Sequence, residues 1–239
     1  MSKVLITGSG KRLGKGLALE FAKKGWDVAV HYNSSFHLAT ETMYEINKLN
    51  CNSIILNANL QNFEEVKNLF IKMITEFGVP DVLVNNAGVF PKKRTLSNLS
   101  IDEWQETLDT NLNSVLYTSK IFGEIANEGA KIVNIASIGG LEIWDGRIPY
   151  NVSKSALITL TEALARELAP KITVNCVSPG TIEIANEPAS EKLISTNNIP
   201  AKRYGNVFDI FEAVYFFATS NNYITGNNLI VDGAYRFVR

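Results

Sequence analysis

The sequence predicts an α/β fold, a doubly wound parallel sheet of about seven strands with helices on both faces. Short apolar runs alternate with longer segments of helical periodicity along all 239 residues, and the first run leads straight into a glycine-rich turn. No repeat, low-complexity tract or Pro/Ser-rich linker interrupts the alternation, so one domain over residues 1–239 is expected. With 46% hydrophobic and 20% charged residues, the chain has the composition of a globular domain with a full core.

Net charge is −1 with Lys and Arg scattered, which points away from nucleic acid and from an anionic membrane surface. No apolar run reaches the roughly 18 residues of a membrane-spanning helix. Met1 enters a strand almost at once, which predicts no signal peptide and a cytoplasmic protein. Two histidines, His31 and His37, and two distant cysteines, Cys51 and Cys176, make no metal motif, so no metal site is expected.

The first strand, Lys3–Thr7, runs into Gly8-Ser9-Gly10-Lys11-Arg12-Leu13-Gly14-Lys15-Gly16 and then a helix with Leu17, Ala18, Phe21 and Ala22 apolar. Strand, glycine turn and helix form a phosphate cradle, because glycines admit the backbone to a pyrophosphate and the helix start offers free amides. The second strand, Asp27–His31, leaves through Tyr32-Asn33-Ser34-Ser35, with no carboxylate between Val28 and Leu38. An acidic residue there would hold an unmodified ribose 2′-hydroxyl. Hydroxyls, an amide and the cations Lys11 and Arg12 suit a 2′-phosphate instead, so NADP(H) is favoured over NAD(H).

A helix over about Leu38–Leu49 leads to a third strand, Ser53–Asn57, ending at Asn59-Leu60. Asn62 with Glu65 marks the start of a helix to Phe77, and Asp81–Asn85 is the fourth strand, running into Asn86-Ala87-Gly88. Ser100 with Glu103 opens a long helix through Ile121, and Asn111 inside it is either solvent-facing or a polar kink beside the site. Lys131–Ala136 is the fifth strand, Ile172–Val177 the sixth, a helix spans Val207–Thr219, and Asn228–Val231 is the last strand. The polar, irregular segment 182–199 suits a mobile lid.

Ser137 emerges at the end of the fifth strand, thirteen residues before Tyr150. Pro149 opens a helix on which Tyr150 and Lys154, four apart, share a face. A phenol with a pKa near 10 is a poor base at neutral pH, and a neighbouring ammonium draws that value down. Phe90, Leu141, Ile143 and Trp144 are candidate walls of a substrate pocket, apolar enough for a ring or an acyl chain.

Taken together, Thr7-Gly8…Gly14, Asn85-Asn86-Ala87-Gly88, Asn111, Ser137, Tyr150-x-x-x-Lys154, Pro179-Gly180 and Thr225-Gly226…Val231-Asp232-Gly233 resemble the short-chain dehydrogenase/reductase family over nearly the whole chain. The resemblance implies a Rossmann-type fold and an NADP-dependent oxidoreductase acting on a carbonyl or alcohol. It implies that Tyr150 is the general acid or base, that Lys154 lowers its pKa and bonds the nicotinamide ribose, that Ser137 holds the substrate oxygen and that Asn111 holds a relay water. Pro179, Gly180, Thr181 and Ile182 are implied to line the nicotinamide, and Asn59 stands where the family usually has an aspartate near the adenine. A homo-oligomer, tetramer or dimer, is also implied. Lys11-Arg12-Leu13-Gly14 with His31-Tyr32 resembles pteridine reductases, whereas the stretch before Tyr150 and the intact Ser137 resemble 3-oxoacyl-carrier-protein reductases. A small-molecule or acyl-thioester substrate is therefore expected, with a pterin as the alternative. A catalytically silent NADP-binding sensor or scaffold is the non-enzymatic alternative, though it has no need of Tyr150.

Overall fold

The computed structural model describes residues 1–184 and 194–238. Its centre is a seven-stranded sheet in the order β3-β2-β1-β4-β5-β6-β7. The strands are β1 Lys3–Ile6, β2 Asp27–Tyr32, β3 Ser53–Asn57, β4 Val82–Asn85, β5 Ala130–Ile135, β6 Ile172–Pro179 and β7 Asn228–Val231. Every neighbouring pair is parallel. The inner strands β1, β2, β4, β5 and β6 are buried on both faces and read as continuous apolar runs in the sequence, whereas the edge strands β3 and β7 are only partly buried.

The helices are α1 Arg12–Lys23, α2 Phe36–Asn47, α3 Phe63–Glu76, α4 Ile101–Leu108, α5 Ser114–Ile125, α6 Ile148–Leu168 and α7 Val207–Thr219. Buried side chains of α1, α2 and α7 fill one face of the sheet, around Phe21 with Trp26 and Phe211 edge-on at 5.3 Å. Those of α3, α5 and α6 fill the other. Strand order reverses at β1 and β4, and there the carboxyl ends of the strands open a crevice of the kind that binds ligands in such sheets.

Three boundaries differ from the sequence expectation. The helix expected from Ser100 through Ile121 is α4 and α5 joined without a gap by a π-helical turn, Asp109–Asn113. The sixth strand continues to Pro179 because Gly180 N–H still pairs with Val231 O. The expected lid falls largely on residues 185–193, outside the described residues; of its flanks, Ile182 bridges to Gly205 and Thr196–Asn198 forms a 3-10 turn. No helix among the described residues is long and apolar enough to cross a membrane.

Candidate active site

Ser137 follows β5 and caps the short turn Ile138–Gly140, its Oγ accepting from Gly139 N–H at 3.1 Å. The turn is pressed onto α6: a Cβ on Gly140 would lie 2.6 Å from the carbonyl carbon of Lys154. Pro149 stands in the first turn of α6, where a missing N–H costs nothing, and Tyr150 follows it. Burial pushes the Tyr150 phenol above its usual pKa, while a hydrogen bond with Ser137 and the nearby Arg147 charge pull the other way.

Lys154, expected to draw the Tyr150 pKa down, lies one helical turn beyond it on α6. The Lys154 ammonium donates to the Ile135 carbonyl at 2.8 Å, and burial holds its own pKa down to about 8. Arg147, one turn before the phenol, adds a positive charge that pulls the Tyr150 pKa down.

Asn111 occupies the π turn and is fully buried. Its Oδ1 accepts from Val89 N–H at 2.8 Å, and its Nδ2 donates to Val89 O and to Ser153 Oγ, each at 3.1 Å. Of the two explanations for an asparagine inside this helix, the polar kink beside the site holds. The kink ties the exit of β4 to α6.

Aromatic groups wall this end of the crevice. Phe90 meets Tyr150 edge-on with ring centres 4.7 Å apart, and Trp144 stacks over Tyr150 at 6.1 Å. Arg147, 2% exposed, lays its guanidinium 4.1 Å from the Phe90 ring centre and donates to Pro91 O. Of the four expected wall residues, Phe90 and Trp144 gather here; Leu141 is about as exposed as Phe90, and Ile143 is 88% exposed. Arg147 and Ser153 were missed from the sequence. A lone arginine before a helix and a serine within one have no periodicity to betray them.

At the other end, Thr7 Oγ1 accepts from Asn86 N–H at 2.9 Å and Ala87 N–H at 3.0 Å, joining the β1 and β4 exits. Gly14 has no room for a side chain, since a Cβ would lie 2.4 Å from Gly8 O and 2.5 Å from Asn86 Nδ2. Helix α1 has no carboxylate in its first turn and no side-chain cap bond from Lys11, whereas Asn62, Ser100 and Asn206 cap α3, α4 and α7. Its leading amides and partial positive charge thus face the crevice uncompensated by acid, a fit to a pyrophosphate. Lys11, Arg12, Asn33 and Ser34 are exposed around the same opening.

Ser9 is a correction. Its hydroxyl donates to Ile6 O at 2.7 Å and accepts from His31 N–H at 3.1 Å, so this fully buried side chain scaffolds the turn instead of lining it. The Leu60 side chain likewise lies in the core, and Asn59 Oδ1 accepts from Gln61 N–H, which leaves its Nδ2 for a base edge. Gly180 lies against Asp232, with Thr181 bonded to Gly205 beside it.

A second cavity, of about 470 Å³, lies at the amino ends of the strands and is lined by Lys3, Asp27, Asn52 and Phe77 among others. Its polar atoms serve the fold: Lys3 Nζ bonds Phe77 O at 2.6 Å, and Asp27 accepts from Asn52 N–H at 2.7 Å. The site chemistry is at the opposite edge.

Residues 8–236 match the family model described as Enoyl-(Acyl carrier protein) reductase. The chain is 36% identical over 236 residues to the 3-oxoacyl-[acyl-carrier-protein] reductase FabG of Staphylococcus epidermidis, covering 96% of both. Among solved structures, a short-chain dehydrogenase/reductase from Serratia marcescens superposes with TM-score 0.91 at 28% identity, covering 98% of this chain and 97% of that one. A short chain dehydrogenase from Burkholderia cenocepacia in complex with NADP gives TM-score 0.90 at 32% identity, covering 97% and 96%. With this fold, this crevice and these relatives, the chain belongs to the short-chain dehydrogenase/reductase family of oxidoreductases, on the side of the 3-oxoacyl-carrier-protein reductases.

Proposed function

We propose that the protein reduces the ketone of a 3-oxoacyl thioester to the alcohol with NADPH, and that Tyr150 delivers the proton. The observation that carries this reading is the convergence of Ser137, Tyr150 and Lys154 at the carboxyl end of β5, with Asn111 fixing the floor. When bound, the dihydronicotinamide supplies the hydride. The protein's residues polarise, orient and protonate.

A half-buried phenol whose pKa lies above its usual value stays protonated at neutral pH, the form a general acid needs. Ser137 Oγ lies at the same point and shares the developing alkoxide with it. Lys154, with a pKa of about 8, is mostly an ammonium at neutral pH and stabilises negative charge arising beside it. Phe90 and Trp144 lie against the Tyr150 ring and offer an apolar wall to the substrate.

The NADP reading is supported by Lys11 and Arg12 at the glycine turn and by the lack of a carboxylate at the β2 exit. The NADP complex of the B. cenocepacia neighbour is consistent with it. The acyl-thioester reading is supported by the FabG relatives.

The test follows NADPH consumption by absorbance with an acetoacetyl thioester and, separately, with dihydrobiopterin. Turnover of the thioester, and its loss by about a thousandfold in Tyr150→Phe, is the expected result. Turnover of the pterin alone would overturn the substrate assignment. Full activity in Tyr150→Phe would overturn the mechanism.

A further inference from the structure

His31 is the penultimate residue of β2, is 2% exposed, and takes no part in the proton chemistry above. Both ring nitrogens are engaged. Gly8 N–H donates to Nδ1 at 2.9 Å, and Nε2 lies 3.0 Å from the Ala58 carbonyl. An amide N–H can only donate and a carbonyl can only accept, so these partners select the neutral Nε2–H tautomer. Burial reinforces that state by drawing the His31 pKa down to about 4, with the Ala58 carbonyl opposing it weakly.

The main chain of the same residue grips the same turn. Ser9 N–H donates to His31 O at 2.9 Å, and His31 N–H donates to Ser9 Oγ at 3.1 Å. Gly8 is in the left-handed region at φ +63, a conformation that leaves its amide pointing back towards β2. The imidazole therefore joins three consecutive strand exits: the glycine turn after β1, its own β2, and the β3 exit where Ala58 leads into Asn59 and Leu60.

We propose that His31 is a positioning residue for the dinucleotide: its Nδ1 holds the Gly8 peptide, and with it the phosphate-facing turn, in register with the β3 exit. The proposal rests on the nucleotide site argued above. An apolar residue of similar size would leave the Gly8 N–H and the Ala58 carbonyl buried and unpaired.

The two ends of the ring can be separated by substitution. In His31→Asn, a carboxamide oxygen can stand near the position of Nδ1 and accept from Gly8, but the side chain is too short for Ala58. In His31→Gln, the carboxamide reaches Ala58 and gives Gly8 no acceptor. The experiment measures NADPH and NADH dissociation constants, kcat at saturating nucleotide, and Tm for the wild type and both variants.

The expected result is an NADPH affinity within about threefold of wild type for His31→Asn and weakened by about tenfold or more for His31→Gln, with saturated kcat unchanged in both. A purely structural role would lower Tm in both variants and leave their affinities alike, and that outcome overturns the proposal. So does a His31→Gln that binds as tightly as wild type. A wild type that binds neither nucleotide overturns the site reading, and this proposal with it.

If the His31→Gln variant does not fold, the wild type carries the test. The chain has two histidines, so imidazole 15N resonances separate His31 from the exposed His37. His31 should remain the neutral Nε2–H form below pH 6, and its Nδ1 resonance should move when NADPH is added. Titration near pH 6.5, or an Nδ1 signal indifferent to NADPH, overturns the proposal.

Discussion

Lys154 Nζ donates to the carbonyl of Ile135 at 2.8 Å, which holds a buried ammonium against the end of β5 one helical turn beyond Tyr150. The position is costly. Burial lowers the Lys154 pKa from 10.5 to about 8, so below pH 8 folding buries the full charge. Between pH 8 and 10.5 the folded state sheds its proton before the unfolded state does, and the cost fades as pH rises. At pH 7 the shift corresponds to roughly 3 kcal/mol. Loss of the Ile135 hydrogen bond offsets about 1 kcal/mol of any gain from removing the charge. Lys154→Met should therefore raise Tm by a few degrees at pH 7, with the gain shrinking by pH 10, while turnover falls by about a hundredfold or more. Scanning calorimetry at the two pH values checks the first claim. A lower Tm at pH 7 would contradict it.

Asn111 makes the opposite case, in which function and stability share one side chain. Truncation in Asn111→Ala withdraws partners from Val89 N–H, Val89 O and Ser153 Oγ. Ser153 Oγ keeps its bond to the Tyr150 carbonyl and the two Val89 groups are only part-buried, so a loss of about 1–3 kcal/mol is expected. Asn111→Asp keeps an acceptor for Val89 N–H but sets a carboxylate against Val89 O. Thermal melts should place both variants well below wild type, and both should lose turnover at saturating substrate. A melt within a degree of wild type would mean that the β4 exit is held elsewhere.

These two residues also show what the sequence makes legible. The seven strands and their order along the chain follow from apolar runs alone. One strand end and one helical spacing place Ser137, Tyr150 and Lys154 in the fold, while the roles expected of them come from the family resemblance. The π turn at Asp109–Asn113 could not be read, because apolar spacing continues across it from Leu108 to Leu116. Nor could the Lys154–Ile135 bond, since a pattern of helical faces does not say which backbone carbonyl lies opposite. Arg147 and His31 escaped for a similar reason: their partners, Pro91 in one case and Gly8 and Ala58 in the other, are distant in sequence and are brought close by the parallel sheet.

Arg12 sits at φ +54, a left-handed conformation that a side chain tolerates at a cost of about 1 kcal/mol. Arg12→Gly relieves that conformation while removing a cation from the mouth of the crevice. If the cation faces a 2′-phosphate, KM for NADPH should rise by about tenfold or more and KM for NADH should stay where it was. Tm should not fall. Parallel changes in the two nucleotides would place the 2′-phosphate contact on other residues.

The registration of Ser137 with Tyr150 depends on Gly140. A Cβ there would lie 2.6 Å from the Lys154 carbonyl carbon, 2.7 Å from its oxygen and 2.8 Å from Ser155 N, all backbone atoms of α6. Backbone cannot swing aside as a side-chain tip can, so Gly140→Ala must move the Ser137 turn and α6 apart. Small misplacements of reacting groups cost about a hundredfold in rate. The expected signature is therefore a kcat lower by about that factor, with NADPH affinity kept within about threefold because the glycine turn at β1 is untouched. Gly25→Ala supplies the control: its Cβ meets nothing within 4 Å, but φ is +80, so it loses stability through strain far from the site. The control should melt lower and turn over normally. If Gly140→Ala keeps its kcat within about twofold while Gly25→Ala loses activity, global stability and not local registration governs the rate.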